Sequence, residues 1–584
     1  MNNSIKKILL GVVAVVVVFG LVFAIVHISN DDGLLSYEEG VKLLNKNYTK
    51  LEKINDKIQT NNSPIEGSYN VDDPTIEKLP SIDNYPLVVE GKKKLNIEIF
   101  SATEKAGPDK EETKMDRFMV EIAQKFNKEN IVINGEEGSI SLRSIASGAA
   151  ADYIMEGISL PDGWTPSNEL WEPMVSSKSN LKISLIEKRL VGNVTGIVMK
   201  KEKYKEFISK YGELNTKTII EAVTAGELKF GYTNPFPSST GLNFILDTLY
   251  HFDNKNILSS KAKESFEKFQ KSEPFTAYST IQMREKVESG SLDAMVLEYQ
   301  SFVNTKESEK YEFVPFGVRH DGPMYAIGEL SEDKAELLKR FTEYCLSEES
   351  QKIAKKYGFN QYDDYKSSYT DISGKEIFEA QKLWKQNKDG GRPVISVFVA
   401  DTSGSMNQVD SKTGSSRMQK LKESLLVSSA YINEENYIGL VNYSTNVRIS
   451  LGIDRFSESQ KSKFIGEVKA LQPGGSTATS DGIIVGLKML LEAKEQVPNA
   501  KLQLFILSDG DEMGNKISTN VVKEIIQGLE IQVNTIAYGE EGSDEFQKYS
   551  GKLKEFSEIN ESIHINAKVD GIVYEIKSLL NAQM

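Results

Sequence analysis

The sequence has one cysteine, Cys345, and four histidines, at 27, 251, 320 and 564. A single cysteine excludes an intrachain disulfide framework and every multi-cysteine zinc or iron–sulfur site. The histidines show no metal-ligand spacing, so zinc hydrolase chemistry is not expected. Positive charge is short as well: 70 Lys and Arg face 84 Asp and Glu, a net charge of −14. Without a cationic surplus the surface lacks what displaces phosphate counterions, which argues against nucleic acid as a partner. No G-x-x-x-x-G-K-[ST] phosphate loop and no G-x-S-x-G nucleophile elbow occurs in the chain.

One long apolar run is present. Ile8 to Val26 contains no charged residue, and at about 1.5 Å per residue it matches the ~30 Å hydrocarbon core of a bilayer. Lys6 and Lys7 precede it and Asp31 and Asp32 follow it. The positive-inside rule then places residues 1–7 in the cytosol, 8–28 across the membrane and the bulk of the chain outside, and an exported chain without disulfides fits a bacterial cell membrane. A cleaved signal peptide would end in small residues, but here the run ends in His27-Ile28-Ser29-Asn30. No cysteine follows it, which excludes a lipoprotein.

Residues 29–94 read as a stalk helix followed by a linker. Val41, Leu44, Tyr48, Leu51, Ile54 and Ile58 form one helical stripe, and Pro64, Pro74, Pro80 and Pro86 follow it. From 95 to 360 short β-branched runs alternate with helical patterns, the signature of α/β architecture. Helices are expected near 114–128 and 141–150. The polar stretch 361–391, ending in Gly390-Gly391, reads as a second linker, and 392–584 as another α/β unit.

In that last unit Pro393 to Ala400 is an apolar run suited to a strand buried on both faces. Asp401-Thr402-Ser403-Gly404-Ser405 follows at once. A carboxylate and two hydroxyls thus leave the carboxyl end of a strand, where open α/β sheets place ligands. Leu502 to Leu507 is a second such strand, delivering Ser508-Asp509, and Pro473-Gly474-Gly475-Ser476-Thr477 is a glycine-rich loop before a helix at 481–494. All-oxygen donors suit a small hard cation such as Mg²⁺.

Asp401, Ser403, Ser405, Thr477 and Asp509 together resemble the metal-ion-dependent adhesion site of von Willebrand factor A domains. The resemblance covers about 190 residues, from 392 to the end of the chain. It implies a doubly wound, Rossmann-like sheet, bound Mg²⁺ held by those five residues, and a protein ligand that supplies an acidic oxygen to the metal. The long loop Met406–Ser416 departs from the pattern and would cover or shape the metal face.

In the middle unit Asn234-Pro-Phe-Pro-Ser-Ser-Thr-Gly241 lies between a strand at 228–233 and an apolar helix from Phe244. Hydroxyls at a helix start, with free backbone N–H groups, form a cradle for an anion or polar ligand. This unit resembles the extracellular solute-binding proteins of ABC importers, particularly those that take oxyanions. The matching stretches are Gly192–Met199, Pro237–Gly241, Val314–Tyr325, Asp162–Trp171 and Phe341–Phe359. The resemblance implies a type II clam, with lobe one near 95–190 and 320–360 and lobe two near 191–310. Crossing segments near 186–195 and 310–325 would join the lobes, and a small solute or oxyanion would sit between them. Its contacts would come from Ser101, Thr103, Ser139, Ser238, Ser239, Thr240, Tyr278 and Tyr299. The hydroxyls at 238–240 equally suit plain helix capping, and the two tyrosines ordinary cleft-wall packing. Arg319 suits either an anion or the crossing strand's own salt bridges.

These readings imply a membrane-anchored extracellular binding protein: a solute-binding clam joined to a Mg²⁺-dependent docking domain. The alternative is the accessory binding component of an ABC-type transporter. An enzyme is not expected, because no general base can be named beside the metal residues.

Overall fold

The computed structural model describes residues 35–69, 79, 81–272, 274–277, 280–409, 414–430, 432–509, 513–539, 544–560, 562–567 and 579. The apolar run Ile8–Val26 and Tyr278 lie outside the described residues. Among the described residues, no helix is long and apolar enough to cross a membrane. The chain divides into two compact units of mixed α/β structure.

One unit is built chiefly from 81–394 and contains two sheets. The first orders its strands Leu87–Val89, Glu136–Ser144, Leu95–Ser101, Gly163–Thr165, Met324–Ile327 and Ile183–Glu187. The second orders Phe275–Ala277, Phe230–Thr233, Ala294–Glu298, Val194–Lys200 and Tyr311–Arg319. The chain passes between the sheets twice, from Glu187 to Val194 and from Arg319 to Met324. Leu95–Ser101 is central because Ile97, Ile99 and Phe100 leave it apolar on both faces, and all three are buried. Helices Phe118–Phe126 and Glu332–Leu346 cover that sheet with Phe126 packed edge-on to Phe341. Cys345 is buried in this layer, and burial pushes its thiol far up, so it acts as a small apolar side chain.

Two expectations are corrected in this unit. Residues 141–150 are not one helix. Glu136–Ser144 is a strand, its Ile140 and Leu142 both buried, paired residue by residue with Leu95–Ser101, and the helix Ser147–Glu156 starts three residues later. The period there is two, not 3.6. Nor is 361–391 a plain linker. Gly374–Asn387 is a helix with a Ser373/Glu376 capping box, and it buries Ile377, Ala380 and Trp384 in this unit's core. Gly374 allows its first turn to approach the backbone: a methyl there would lie 2.1 Å from the Pro173 carbonyl oxygen.

The second unit holds the described residues within 35–69, 395–422 and 434–567. Its sheet runs Ile58–Thr60, Val447–Arg455, Tyr437–Tyr443, Val394–Asp401, Lys501–Ser508, Gln532–Tyr538, His564–Ala567. Val447–Arg455 is antiparallel to Tyr437–Tyr443, which is parallel to Val394–Asp401; Lys501–Ser508, Gln532–Tyr538 and His564–Ala567 are likewise parallel to one another. Val394–Asp401 lies between strands reached by opposite turns of the chain, so its carboxyl end is the switch point of a doubly wound sheet.

The stretch 35–69 of the segment read as a stalk and linker belongs to this second unit. Helix Tyr37–Glu52 packs on helices Thr479–Gln496 and Thr519–Leu529, with Leu44 and Leu51 in the core. Gly40 permits the close approach, since a methyl there would lie 3.1 Å from the Gly528 carbonyl carbon. Strand Ile58–Thr60 then extends the sheet, and Ile58, Val447, Tyr443 and Asp401 form one row across it. The helix therefore ends beside the Asp401 edge, where Lys50 donates to the Lys516 carbonyl at 2.9 Å. It begins about 24 Å away, toward the opposite edge. Its apolar stripe was legible, but the surface it covers is made by residues more than 400 positions later. Ser36 caps this helix with Glu39 in a capping box. Ser36→Ala should lower the stability of this unit by about 1 kcal/mol, read as a shift in its urea midpoint. A free stalk helix would leave that midpoint unchanged.

Candidate functional site

The strand Val394–Asp401 delivers Asp401 to the sheet edge fully buried. Its two oxygens are held apart: Ser403 N–H donates to Oδ1 at 2.7 Å and Ser508 Oγ to Oδ2 at 2.8 Å. Ser403 and Ser405 Oγ lie 2.9 Å apart, and Ser405 Oγ donates to Asp509 Oδ1 at 3.0 Å. The glycine-rich loop is tied to the same place by backbone bonds, Gly404 N–H to Gly475 O at 3.1 Å and Gly474 N–H to Thr402 O at 2.8 Å. Thr477 pairs with Met513 across a two-bond bridge. Three loops thus bring Asp401, Ser403, Ser405, Thr477 and Asp509 to one edge. Burial, and then the charge of Asp509, push the Asp401 carboxyl up to about 6 against the pull of its hydrogen bonds from Ser403 and Ser508. Two buried carboxylates among hydroxyls form a hard, all-oxygen donor set, which fits Mg²⁺ in chemistry. Among the described residues, no three His, Cys, Asp or Glu side chains gather as an alternative metal set.

Three neighbours of this edge were not singled out from the sequence. Arg417, on the helix Arg417–Ser428, donates Nη1 to Asp509 Oδ2 at 2.7 Å. Asp481 accepts from Lys516 N–H at 2.9 Å and Ile517 N–H at 3.0 Å, fixing the chain after Asp509. Lys57 pairs with Asp481 at 2.8 Å, both fully buried, and donates to the Thr445 carbonyl at 2.6 Å. No motif marks Lys57, because its partner is contributed by the fold.

In the other unit a cavity of about 410 Å³ lies between the two sheets. Thr103, Ser238, Ser239 and Thr240 line it. Ser101, Ser139 and Tyr299 are not among its lining residues. Ser101 is buried at the strand end, its hydroxyl turned to the Ala102 carbonyl. Ser139 lies within a strand rather than before a helix, bonded to Asn96 and to Lys93 N–H. Tyr299 packs edge-on to Phe313 and Tyr362. Arg319 is absorbed in the crossing segment, on Asp321 and the carbonyls of Tyr362 and Tyr365.

Ser144, Ser147 and Ser167 line the cavity and were missed. Reading Glu136–Ser144 as a strand would have placed Ser144 at its carboxyl end and Ser147 at the start of the helix that follows. The helices Ser147–Glu156 and Ser239–Phe252 both begin at the cavity, so their first N–H groups point toward it. Ser238 does both jobs considered for it, capping through Gly241 N–H while lining the cavity.

Three acids also line the cavity, each matched by a neighbour. Glu104 faces Lys105 at 3.2 Å, and burial pushes its carboxyl up. Asp116 meets Arg284 at 2.9 Å and Gln300 at 3.0 Å, and burial raises it too. Glu298 lies 2.6 Å from His320. Burial opposes its charge, yet His320 and Lys105 hold it below the usual range. Arg284 and Gln300 follow the second sheet's strands while Asp116 belongs to the first lobe, so this cluster bridges the lobes. Trp171 Nε1–H to Ser239 Oγ at 2.7 Å is a second bridge.

Residues 112–360 match the family model of bacterial extracellular solute-binding proteins, and residues 397–567 that of the von Willebrand factor type A domain. A curated relative, an uncharacterized protein of Borreliella burgdorferi, is 27% identical over 187 residues, 31% of this chain and 53% of its own. The chain thus spans about half the length of that relative. Similar solved structures include a periplasmic thiamin binding protein (12% identity, 52% of this chain and 99% of that one, TM-score 0.36). Another is the sulfate-binding protein SubI from Mycobacterium tuberculosis H37Rv (12%, 46% and 88%, 0.33). A third is a von Willebrand factor type A protein from Catenulispora acidiphila (15%, 32% and 42%, 0.26).

Proposed function

We propose that this chain, which joins a bacterial extracellular solute-binding domain to a von Willebrand factor type A domain, is a membrane-anchored surface protein that grips an acidic protein partner through Mg²⁺. Asp401, Ser403, Ser405, Thr477 and Asp509 would hold the ion, which when bound offers a coordination position to the partner's carboxylate. The observation that carries this reading is the convergence of two buried carboxylates and three hydroxyls, across three loops, at the switch point of the sheet.

The cleft would hold a small polar solute through the hydroxyls at 144, 147, 167 and 238–240 and two helix N-termini. The test is thermal unfolding of the whole chain with MgCl₂ or EDTA, each against sulfate, molybdate, sugars and amino acids. Specific binding to the folded state raises the midpoint by mass action. A rise with Mg²⁺ is required by the reading, and its absence rejects it. A rise with one solute class identifies the cargo. No rise with any solute would leave the clam as a scaffold.

Asp116→Asn weakens the bridge between lobes, so any solute that stabilises the wild type should bind several-fold more weakly, about 1 kcal/mol. Quenching of tryptophan fluorescence, with Trp171 at the lobe boundary, would follow the titration. Unchanged affinity would show that Asp116 and Arg284 do not hold the clam shut.

A further inference from the structure

The loop Met406–Ser416 departs from the family pattern, and the structure shows what it delivers. Val409 and Ser416 form a bridge, and Arg417 N–H donates to the Gln408 carbonyl at 3.0 Å. Ser416 and Gln419 cap the helix that follows, Ser416 N–H to Gln419 Oε1 at 2.8 Å and Gln419 N–H to Ser416 Oγ at 3.1 Å. The loop therefore returns to its origin and starts a helix whose first residue is Arg417. That side chain reaches Asp509 Oδ2 at 2.7 Å. The carboxylate is fully buried, whereas the arginine is 18% exposed. The arginine thus joins the buried acid to solvent.

Charge bookkeeping gives this placement a consequence. Asp401 and Asp509 contribute two negative charges and Arg417 one positive, a local sum of −1. A divalent cation takes the sum to +1, and one carboxylate from a ligand returns it to zero. Without Arg417, the two aspartates and the cation already balance. A guanidinium also has five N–H donors, and those not used on Asp509 can take the second oxygen of a carboxylate.

We propose that Arg417 makes the divalent ion and the acidic ligand bind as a pair. It weakens binding of the ion alone and supplies the second contact to the ligand's carboxylate. The metal edge would then hold the ion more weakly alone than with an acidic partner present. This rests on the reading of the edge as a Mg²⁺ site.

The test is calorimetric titration of the whole chain with MgCl₂, in chloride and in acetate buffers of equal ionic strength, for wild type, Arg417→Gln and Arg417→Lys. In the wild type, acetate should strengthen Mg²⁺ binding severalfold. Arg417→Gln should bind Mg²⁺ about tenfold more tightly in chloride, as removal of one nearby positive charge requires, and should lose the effect of acetate. Arg417→Lys keeps the charge without the fork, so it should retain weak binding in chloride and only part of the acetate effect. Circular dichroism checks that each variant is folded. Weaker Mg²⁺ binding in Arg417→Gln, or an acetate effect as large as in the wild type, overturns the proposal and leaves the metal site standing. No Mg²⁺ binding by any of the three proteins in either buffer overturns both.

Discussion

Asp401→Asn should abolish the response of the protein to Mg²⁺ and, in EDTA at pH 8, should make the second unit more stable than in the wild type by about 3 kcal/mol. Burial and Asp509 push the Asp401 carboxyl up to about 6 in the folded protein, against about 3.9 in an unfolded chain. Between those values the folded state keeps a proton that the unfolded state has lost. Stability of the metal-free wild type therefore falls as pH rises from about 4 to 6, and the full penalty remains above 6. A neutral asparagine never incurs it. A bound divalent cation would remove the penalty by neutralising the carboxylate, so wild type gains stability from MgCl₂ at pH 8 where Asp401→Asn does not. Urea unfolding at pH 5 and pH 8, with MgCl₂ or EDTA, measures all of this. Equal wild-type stability at the two pH values in EDTA would reject the electrostatic account. A full Mg²⁺ response in Asp401→Asn would reject Asp401 as a ligand.

Trp384→Ala should cost the solute-binding unit about 3–5 kcal/mol. Trp384 is fully buried, its ring packed at 5.9 Å from Phe236 and its Nε1–H donating to Tyr232 Oη at 2.7 Å. Truncation leaves a large cavity and removes one bond to the buried Tyr232 hydroxyl, which Gln270 also holds. Gln381 adds a bond to the Pro235 carbonyl at 2.9 Å, so the helix Gly374–Asn387 also braces the 234–241 turn that lines the cavity. The expected signature is a lower urea midpoint for this unit, with any solute that stabilises the wild type binding more weakly. If 374–387 were a linker, neither would move.

The errors at particular residues show what the sequence carries. Residues 361–391 look polar because one face of a surface helix is polar, while Ile377, Ala380 and Trp384 lie on a single stripe that the average composition hides. At 136–144 the alternation of Ile140 and Leu142 with serines was available, but its strand period competes with helix-forming residues on both sides. Ser139 and Tyr299 carry hydroxyls and were plausible ligands, yet a hydroxyl is as often needed to pair a buried neighbour. Ser139 pairs with Asn96, and Tyr299 packs among aromatic rings.

The sequence by itself determined the two α/β modules, the families they match and the five residues that the second sheet brings to one edge. Those features are local: an apolar strand followed at once by its loop, at spacings that survive without knowledge of neighbours. Only the tertiary structure decided that residues 37–60 complete the C-terminal sheet and that Lys57 is buried against Asp481. It also placed Arg417 on Asp509 and bridged the lobes through Asp116. Each of these joins residues far apart in the chain through charges or surfaces that are buried together. Burial is what makes such pairings strong, and it exists only once the chain has folded.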